Sequence, residues 1–323
     1  MVTVADGHSQ SLRVVFFGTP QFAVPTLHAL ITSRHRVCGV VTQPDRPRGR
    51  GQKVTDSPVK AAALNERVPV FQPDRLRDPD VSTTIADWRP DLGVVAAYGK
   101  LIPEPLLSVP RFGMINVHAS LLPKYRGAAP VHRAIINGER ETGVTIMRVV
   151  KKLDAGAMFA KVTRSIGSDE TSDVLERDLA DLGARLLVTV VDAIAAGRAH
   201  EEPQDEAQST YAPRLTKEEG LIDWTLSAID IHNRVRGLYP WPHAYTFLDG
   251  ARLIVLKTHL LDGAGDDVPG TIVDVSRGVF EVATGHSGGV AIEQVQAEGK
   301  RPMSARDYLA GRPVRAGTRL TTS

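Results

Sequence analysis

The sequence has one cysteine and no long apolar run. Cys38 cannot form an intrachain disulfide, and a zinc site built from several cysteines is excluded. No stretch approaches the roughly 18 apolar residues that cross a bilayer. Residues 1–11 also lack the basic start and apolar segment of a signal peptide, and they resemble a flexible extension. We therefore expect a cytoplasmic protein without a membrane partner, and Cys38 as a buried strand thiol.

A strong excess of positive charge is also missing. The formal net charge is +2 and the pI is near 8.7, below the strongly basic balance of many nucleic-acid binders. An RNA partner would have to be met by local basic patches. Hydrophobic residues make up 42% and charged residues 24%, which is ordinary for a soluble globular protein. A length of 323 residues favours two domains.

Apolar runs alternate with helical patterns over the first two thirds of the chain. The runs predict strands over residues 12–17, 37–42, 92–98, 114–118 and 157–166, with helices over 22–33, 56–67 and 171–196. This βα alternation predicts an α/β fold with a Rossmann-like, doubly wound and mainly parallel sheet over residues 12–200. Polar residues 201–216, with Pro203, predict a linker. Short apolar segments separated by turns over 217–323 predict a compact β domain.

The first βα turn lacks the glycine fingerprint of a dinucleotide site. Gly18-Thr19-Pro20 follows the first strand, but Gly-x-Gly-x-x-Gly is absent, and Pro20 removes a backbone donor that a phosphate would use. We therefore expect no nicotinamide cofactor. A metal centre is not expected either.

The most informative segment ends the strand at 114–118. Asn116 and His118 are two residues apart, so they project from one face of the strand, at the sheet edge where open α/β folds bind ligands. An amide and an imidazole suit a carbonyl whose oxygen becomes negative during attack. Asp154 follows 36 positions later. Alone, His118 is more often structural, and Asp-Ala-Gly at 154–156 also suits a plain turn.

Larger motifs point to a family. Asn-x-His-x-Ser-Leu-Leu-Pro at 116–123, Arg-Gly-Ala-Ala-Pro at 126–130, Thr-Gly-Val-Thr-Ile-Met at 142–147 and Leu-Asp-Ala-Gly at 153–156 resemble the signature of the folate-dependent formyltransferases. Residues 17–23, 43–51 and 233–242 resemble the members of that family that act on initiator tRNA. The resemblance extends from about Leu12 to the C-terminal segment.

That resemblance implies a reaction and a set of site residues. The formyl group of 10-formyltetrahydrofolate would pass to the methionine amine of initiator methionyl-tRNA. Asn116 and His118 would hold the oxyanion, while Asp154 would orient His118 or keep it charged and help to move the proton. The folate would lie against Ser120, Leu121, Leu122 and Pro123. The resemblance further implies a Rossmann-like sheet without a dinucleotide, followed by an OB-like, tRNA-binding barrel at 217–323.

A second wall of the folate crevice is predicted by strand order. The segment with Tyr98, Gly99, Leu101 and Ile102 leaves a neighbouring strand at the same sheet edge, so it should offer backbone hydrogen bonds to the pterin. A glycine at a strand end also needs no ligand to explain it.

A basic, Gly/Pro-rich segment follows the second strand, and we predict that it forms an exposed loop. Arg46, Arg48, Arg50 and Lys53 can contact phosphates and unpaired bases, although most basic runs are solvated surface. By resemblance, Arg50 matches an arginine that meets the acceptor end of tRNA. We expect a monomer. The alternatives are a formyltransferase or formyl hydrolase acting on a small molecule, and a tRNA-binding protein without catalysis.

Overall fold

A computed structural model describes residues 11–48, 53–261 and 267–323. The chain divides into two compact units. The first unit runs to Ala128 and includes Thr142–Arg164 and Glu176–Ala212. The second unit consists of Ala129–Glu141, Ser165–Leu175 and Pro213–Ser323. Two internal segments that precede Pro213 therefore belong to the second unit. The predicted extension at residues 1–11 lies, apart from Ser11, outside the described residues.

Eleven described strands precede residue 213. They are β1 Arg13–Gly18, β2 Arg36–Val41, β3 Arg46–Arg48, β4 Lys53–Thr55, β5 Val70–Phe71, β6 Leu92–Ala96, β7 Met114–His118, β8 Arg126–Gly127, β9 Glu141–Arg148, β10 Met158–Ser165 and β11 Tyr211–Ala212. The α-helices are α1 Val24–Thr32, α2 Pro58–Asn65, α3 Pro79–Asp87, α4 Glu104–Leu107, α5 Pro130–Ile136, α6 Ser172–Ala195, α7 Ala228–Gly237 and α8 Ala305–Gly311.

The main sheet of the first unit has the order β10-β9-β7-β6-β1-β2-β5. β1 pairs in parallel with β2 and β6, β2 with β5, and β6 with β7, whereas β7 and β9 are antiparallel. The strand order reverses between β1 and β6, which makes their carboxyl ends a topological switch point. The predicted mainly parallel, doubly wound sheet is confirmed.

Local sequence explains where these elements lie. The strands β1 and β6 are continuous apolar runs, and their residues are almost fully buried, as expected for central parallel strands. Helix α2 begins as predicted, because Ser57 accepts a hydrogen bond from the Lys60 backbone N at 3.1 Å and Pro58 takes the first helical position. Cys38 is buried in β2, as predicted, and burial raises the pKa of its thiol.

Two short ladders lie outside the main sheet. β3 and β4 are antiparallel, so part of the basic segment that we predicted as a loop forms a hairpin. β8 and β11 are parallel, with Arg126 opposite Tyr211 and Gly127 opposite Ala212. This second ladder ties residues 211–212, inside the segment predicted as a linker, to the chain that follows β7.

The second unit contains a curled antiparallel sheet. Its strands are β12 Ala244–Leu248, β13 Ala251–Leu261, β14 Ile272–Asp274, β15 Phe280–Ala283, β16 Gly289–Ala297, β17 Met303–Ser304 and β18 Leu320–Thr321. The order is β14-β15-β16-β13-β12-β18, and β17 pairs with β16. A bridge between Thr271 and Arg319 joins the two ends of the sheet. This arrangement is consistent with the predicted OB-like barrel.

Helix α7 and Glu219, which precedes it, connect the two internal segments with the rest of the second unit. From α5, His132 Nδ1 donates to the Gly237 carbonyl at 2.8 Å, and Arg133 pairs with Glu219 at 2.5 Å. From Ser165–Leu175, the carbonyl of Ser168 accepts from His232 Nε2 at 2.9 Å. Within the described ranges, no helix is long and apolar enough to cross a membrane.

Candidate active site

Two polar side chains stand at the carboxyl end of β7. Asn116 lies opposite Val95 of β6 and Met147 of β9, so it sits in the interior of the main sheet rather than at its margin. Asn116 is partly exposed, and His118 at the last strand position is 5% exposed. Because strand residues two apart share a face, the amide and the imidazole project to the same side.

A backbone carbonyl fixes the tautomer of His118. The Nε2 atom lies 2.9 Å from the Tyr125 carbonyl oxygen, which can only accept, so Nε2 carries a hydrogen. In the neutral ring Nδ1 is then the basic nitrogen. Nδ1 is the atom that faces Asp154, with 3.8 Å between Nδ1 and Asp154 Oδ2. That distance is too long for a hydrogen bond, so the carboxylate acts on the ring through charge when Nδ1 takes up a proton.

Asp154 is held in a tight turn. Its φ of 46° lies in the left-handed region that disfavours residues with a Cβ. Its Oδ2 atom accepts a hydrogen bond from the Gly127 backbone N at 2.8 Å. Gly156 completes the turn, since a Cβ there would lie 1.9 Å from the Arg148 carbonyl oxygen. The Asp-Ala-Gly sequence thus has a steric reason as well as a chemical one.

Gly127, whose N–H binds the Asp154 carboxylate, must itself be a glycine. Its φ is 118°, and a Cβ would lie 2.8 Å from the Ala212 carbonyl oxygen across the β8–β11 ladder. The ladder and the N–H that binds Asp154 therefore depend on one glycine. The structure brings together the three predicted catalytic residues, Asn116 and His118 on β7 and Asp154 on the facing turn.

The predicted folate segment at 120–123 is pinned from β9 and β10. Thr145 Oγ1 donates to the Ser120 carbonyl at 2.7 Å and accepts from Leu122 N at 3.2 Å. Lys161 Nζ donates to the Leu122 carbonyl at 2.6 Å. Ser120 is fully buried, and the Leu122 side chain packs in a small core cluster with Met147 and Met158. Leu121 is partly exposed, and Pro123 follows a cis peptide bond.

The predicted second wall follows β6. The Tyr98 side chain is buried in the core of the first unit, and desolvation raises the pKa of its phenol to about 12. Its carbonyl accepts from Gln43 Nε2 at 2.7 Å and Thr19 Oγ1 at 3.2 Å. Gly99 has a φ of 81°. Leu101 is 75% exposed, while Ile102 packs against the core.

The basic segment is anchored at its base. Arg46, Arg48 and Lys53 lie on β3 and β4, and Arg50 lies outside the described residues. Immediately before β3, Asp45 binds Lys60 through Oδ2 and Gln72 Nε2 through Oδ1 at 3.0 Å. The hydrogen bond from Lys60 lowers the pKa of the Asp45 carboxyl.

Several groups at the site were not predicted from sequence. The Tyr125 carbonyl, the Gly127 N–H, Thr145 and Lys161 all orient the predicted residues. Their positions in or beside the family motifs could have pointed to three of them. Tyr125 lies between the motifs at 116–123 and 126–130, Gly127 lies in the second of these, and Thr145 lies in the motif at 142–147. Lys161 on β10 carried no such signal. Among residues 11–48, 53–261 and 267–323, no group of three or more His, Cys, Asp or Glu side chains is arranged to hold a metal ion.

Family models and curated relatives match nearly the whole chain. A model described as Formyl transferase matches residues 12–191, and one described as Formyl transferase, C-terminal domain, matches residues 214–313. A methionyl-tRNA formyltransferase of Methylococcus capsulatus is 49% identical over 96% of this chain and 100% of that protein. One from Alkaliphilus oremlandii is 46% identical over 96% of this chain and 99% of that protein.

Solved structures share the fold at low sequence identity. An N-formyltransferase from Helicobacter canadensis, in complex with folinic acid and dTDP-3-aminofucose, has a TM-score of 0.66 at 16% identity, covering 88% of this chain and 99% of that chain. HypX from Aquifex aeolicus, in complex with tetrahydrofolic acid, has a TM-score of 0.64 at 16% identity, covering 95% of this chain and 49% of that chain. The sequence matches, at nearly half identity over almost the full length, place the chain in the methionyl-tRNA formyltransferase family.

Proposed function

We propose that this protein transfers the formyl group of 10-formyltetrahydrofolate to the α-amino group of methionine on initiator tRNA. The observation that carries the proposal is that Asn116 and His118 share one face at the carboxyl end of β7, while Asp154 lies 3.8 Å from His118 Nδ1. Family membership supports the tRNA substrate, since the relatives are named for methionyl-tRNA. Structural neighbours in complex with folinic acid or tetrahydrofolic acid support the folate donor. We further propose that the protein acts in the cytoplasm, where translation begins, and that it is a monomer. Light scattering of the purified protein measures its molar mass and so tests the monomeric state.

The reaction needs an oxyanion site and a route for one proton. The methionine amine attacks the formyl carbon, a C–N bond forms, and the carbonyl oxygen becomes negative. Collapse of this intermediate breaks the bond to the folate N10 atom, which takes up the proton that the amine loses. The Asn116 amide donates to the oxyanion, and loss of one such donor typically costs about 10² to 10³ in rate.

His118 takes part through Nδ1. Its Nε2–H is committed to the Tyr125 carbonyl at 2.9 Å, so Nδ1 is left to accept the proton of the amine or, once charged, to donate to the oxyanion. The Asp154 carboxylate, 3.8 Å away, stabilises the imidazolium that results. In this proposal the Tyr125 carbonyl orients the His118 ring, and Asp154 stabilises the positive charge on that ring.

The folate site is assigned to Ser120, Leu121, Leu122 and Pro123, with Tyr98, Gly99, Leu101 and Ile102 as the second wall. Strand order supports the assignment, because β6 and β7 are neighbours and both segments leave their carboxyl ends. The exposed side chains of this set are the ones that can touch the pterin directly, chiefly Leu101 and Leu121. The buried ones shape the backbone around it.

Arg46, Arg48, Arg50 and Lys53 are proposed to meet the tRNA. The backbone of Arg46, Arg48 and Lys53 lies on the β3–β4 hairpin, which follows the Asp45–Lys60 ion pair. Arginine and lysine bind phosphates in a salt-dependent manner. Replacing Arg50 by alanine should raise KM for the tRNA and leave KM for the folate donor unchanged. Equal changes in both constants would contradict an RNA role for Arg50.

The decisive test is formyl transfer with purified components. The unmodified protein should formylate methionine-charged initiator tRNA, act poorly on elongator tRNA, and leave small amines such as amino sugars unmodified. Asn116→Ala, His118→Ala and Asp154→Ala should each lose most of the activity while melting near the temperature of the unmodified protein. Binding of charged tRNA without any transfer from 10-formyltetrahydrofolate at low salt would favour the non-catalytic alternative.

A further inference from the structure

The chain between residues 202 and 212 lies against both segments that support the catalytic residues. Glu202 forms a two-way backbone bridge with Met158 at 2.8 and 2.9 Å. Thr210 Oγ1 accepts from Tyr125 N at 2.9 Å, next to the carbonyl that holds His118. These contacts lie within the first unit, so this polar segment is part of its structure rather than a free connection.

Gln204 occupies the centre of this segment and uses its whole amide. Its Nε2 donates to the carbonyls of Asp154 and Gly156, each at 2.8 Å. Its Oε1 accepts from Arg126 Nε at 3.0 Å and Nη2 at 2.8 Å. An amide with two donors and two acceptor positions in use has only one orientation that satisfies all four bonds. Gln204 therefore clamps both ends of the Asp154 turn.

Arg126 is what fixes Gln204. It is fully buried, and besides Gln204 it binds Glu206 through Nη1 at 3.1 Å and Nη2 at 3.0 Å. A buried guanidinium is retained only where its donors are paired, so the position of Gln204 is tightly specified. The same residue is the first of β8, directly before the Gly127 whose N–H binds the Asp154 carboxylate.

The Asp154 turn needs such a clamp. A non-glycine residue at a φ of 46° is unfavourable and persists only where neighbouring groups hold it. Leu153, the residue before it, is exposed and adds little packing. The carboxylate accepts an N–H from Gly127, and the carbonyls of Asp154 and Gly156 accept the two hydrogen bonds from Gln204. Inside the turn, a long hydrogen bond of 3.4 Å joins Ala155 N to the Lys152 carbonyl.

We propose that Gln204, fixed by the buried Arg126, is a positioning residue that holds the Asp154 carboxylate opposite His118 Nδ1. It touches neither substrate. This inference rests on the proposed function, because its readout is the transfer reaction. Loss of the clamp lets the turn relax, and the 3.8 Å separation between Asp154 and His118 is no longer maintained.

The test compares two glutamines of the same segment. Gln204→Ala should lower kcat by about 10-fold to 100-fold, the size expected when a reacting group is misplaced by about 1 Å. KM for both substrates should change by less than about threefold, because binding groups are untouched. The matched control is Gln208→Ala, since Gln208 is exposed and bonds only to Asp205 within its own turn. Its kcat should stay within about twofold.

A second variant keeps the shape of the side chain. Gln204→Glu retains the Arg126 partner but sets a carboxylate oxygen against the Asp154 and Gly156 carbonyls, so kcat should fall at least as far as in Gln204→Ala. In an Asp154→Asn background, Gln204→Ala should cost less than about threefold further, since both changes act on one group. Additive losses in that background, or a folded Gln204→Glu with unchanged kcat, would overturn the proposal. An inactive unmodified protein would instead refute the proposed function.

Discussion

Replacing Asp154 by asparagine tests the charge partnership at the site. The change preserves size and leaves an oxygen to accept the Gly127 N–H, but removes the negative charge that lies 3.8 Å from His118 Nδ1. Two unit charges about 4 Å apart interact by about 4 kcal/mol at an effective dielectric constant near 20. Stabilisation of that order is lost when His118 becomes positive. At about 1.4 kcal/mol per factor of ten, kcat should fall by about 10³.

Single-turnover formyl transfer with saturating substrates measures this loss without interference from product release. KM should change little, because the charge acts on the step in which the proton moves. Asp181→Asn removes the same charge from an exposed position on α6 and serves as the control. A loss in kcat below about tenfold in a folded Asp154→Asn protein would refute the charge argument. So would a loss confined to KM.

Three further predictions concern stability and reactivity. Gly127→Ala should destabilise the protein by about 1–3 kcal/mol in urea unfolding, because its φ of 118° suits glycine, whereas Gly311→Ala, in open space, should not. The Arg126 hydrogen bond lowers the pKa of Glu206 to about 2 from an ordinary 4.5. The contribution of the Arg126–Glu206 pair to the stability of the fold is therefore complete above pH 4.5 and is lost as the pH falls towards 2. Glu206→Gln should flatten that acid limb; an unchanged limb would contradict the pairing. Cys38, the one cysteine and a buried thiol of raised pKa, should react with a thiol reagent only after unfolding, and prompt native labelling would contradict its burial.

Regular periodicity made much of the first unit predictable. The prediction of a strand at 114–118 agrees with β7, Met114–His118, at both ends, because the apolar run is bounded by a glycine and by the polar pair that it displays. The long helix predicted at 171–196 is α6, Ser172–Ala195. In both cases a repeated local pattern determines where the element begins and ends, and contacts with distant residues shift these boundaries little.

Elements set by tertiary pairing were harder to predict. β8 and β11 have two residues each, and they exist because they pair with one another across 85 positions of sequence. No strand was predicted at β9, although its β-branched residues favour one. The basic segment was predicted as a loop, and its β3–β4 ladder was missed because proline and arginine are poor strand signals.

The chemistry of the site followed the same division. Asn116, His118 and Asp154 were found by resemblance, and their types suit the reaction. Their supports come from far along the chain, for example Gln204, which lies 50 residues after the carbonyl that it binds. A polar residue in a polar stretch carries no sign of such a bond. Sequence therefore predicted candidate reacting groups but not the residues that hold them.

The interleaving of the two units has a consequence for synthesis on the ribosome. Ala129–Glu141 and Ser165–Leu175 emerge early, yet they belong with residues 213–323. Until Glu219 and helix α7 are made, the ion pair of Arg133 with Glu219 and the hydrogen bond from His132 to Gly237 cannot form. A nascent chain that ends at Ala212 thus carries two segments whose partners in the second unit have not yet been made. The second unit can be completed only during the last third of translation. We expect a protein truncated after Ala212 to need chaperones.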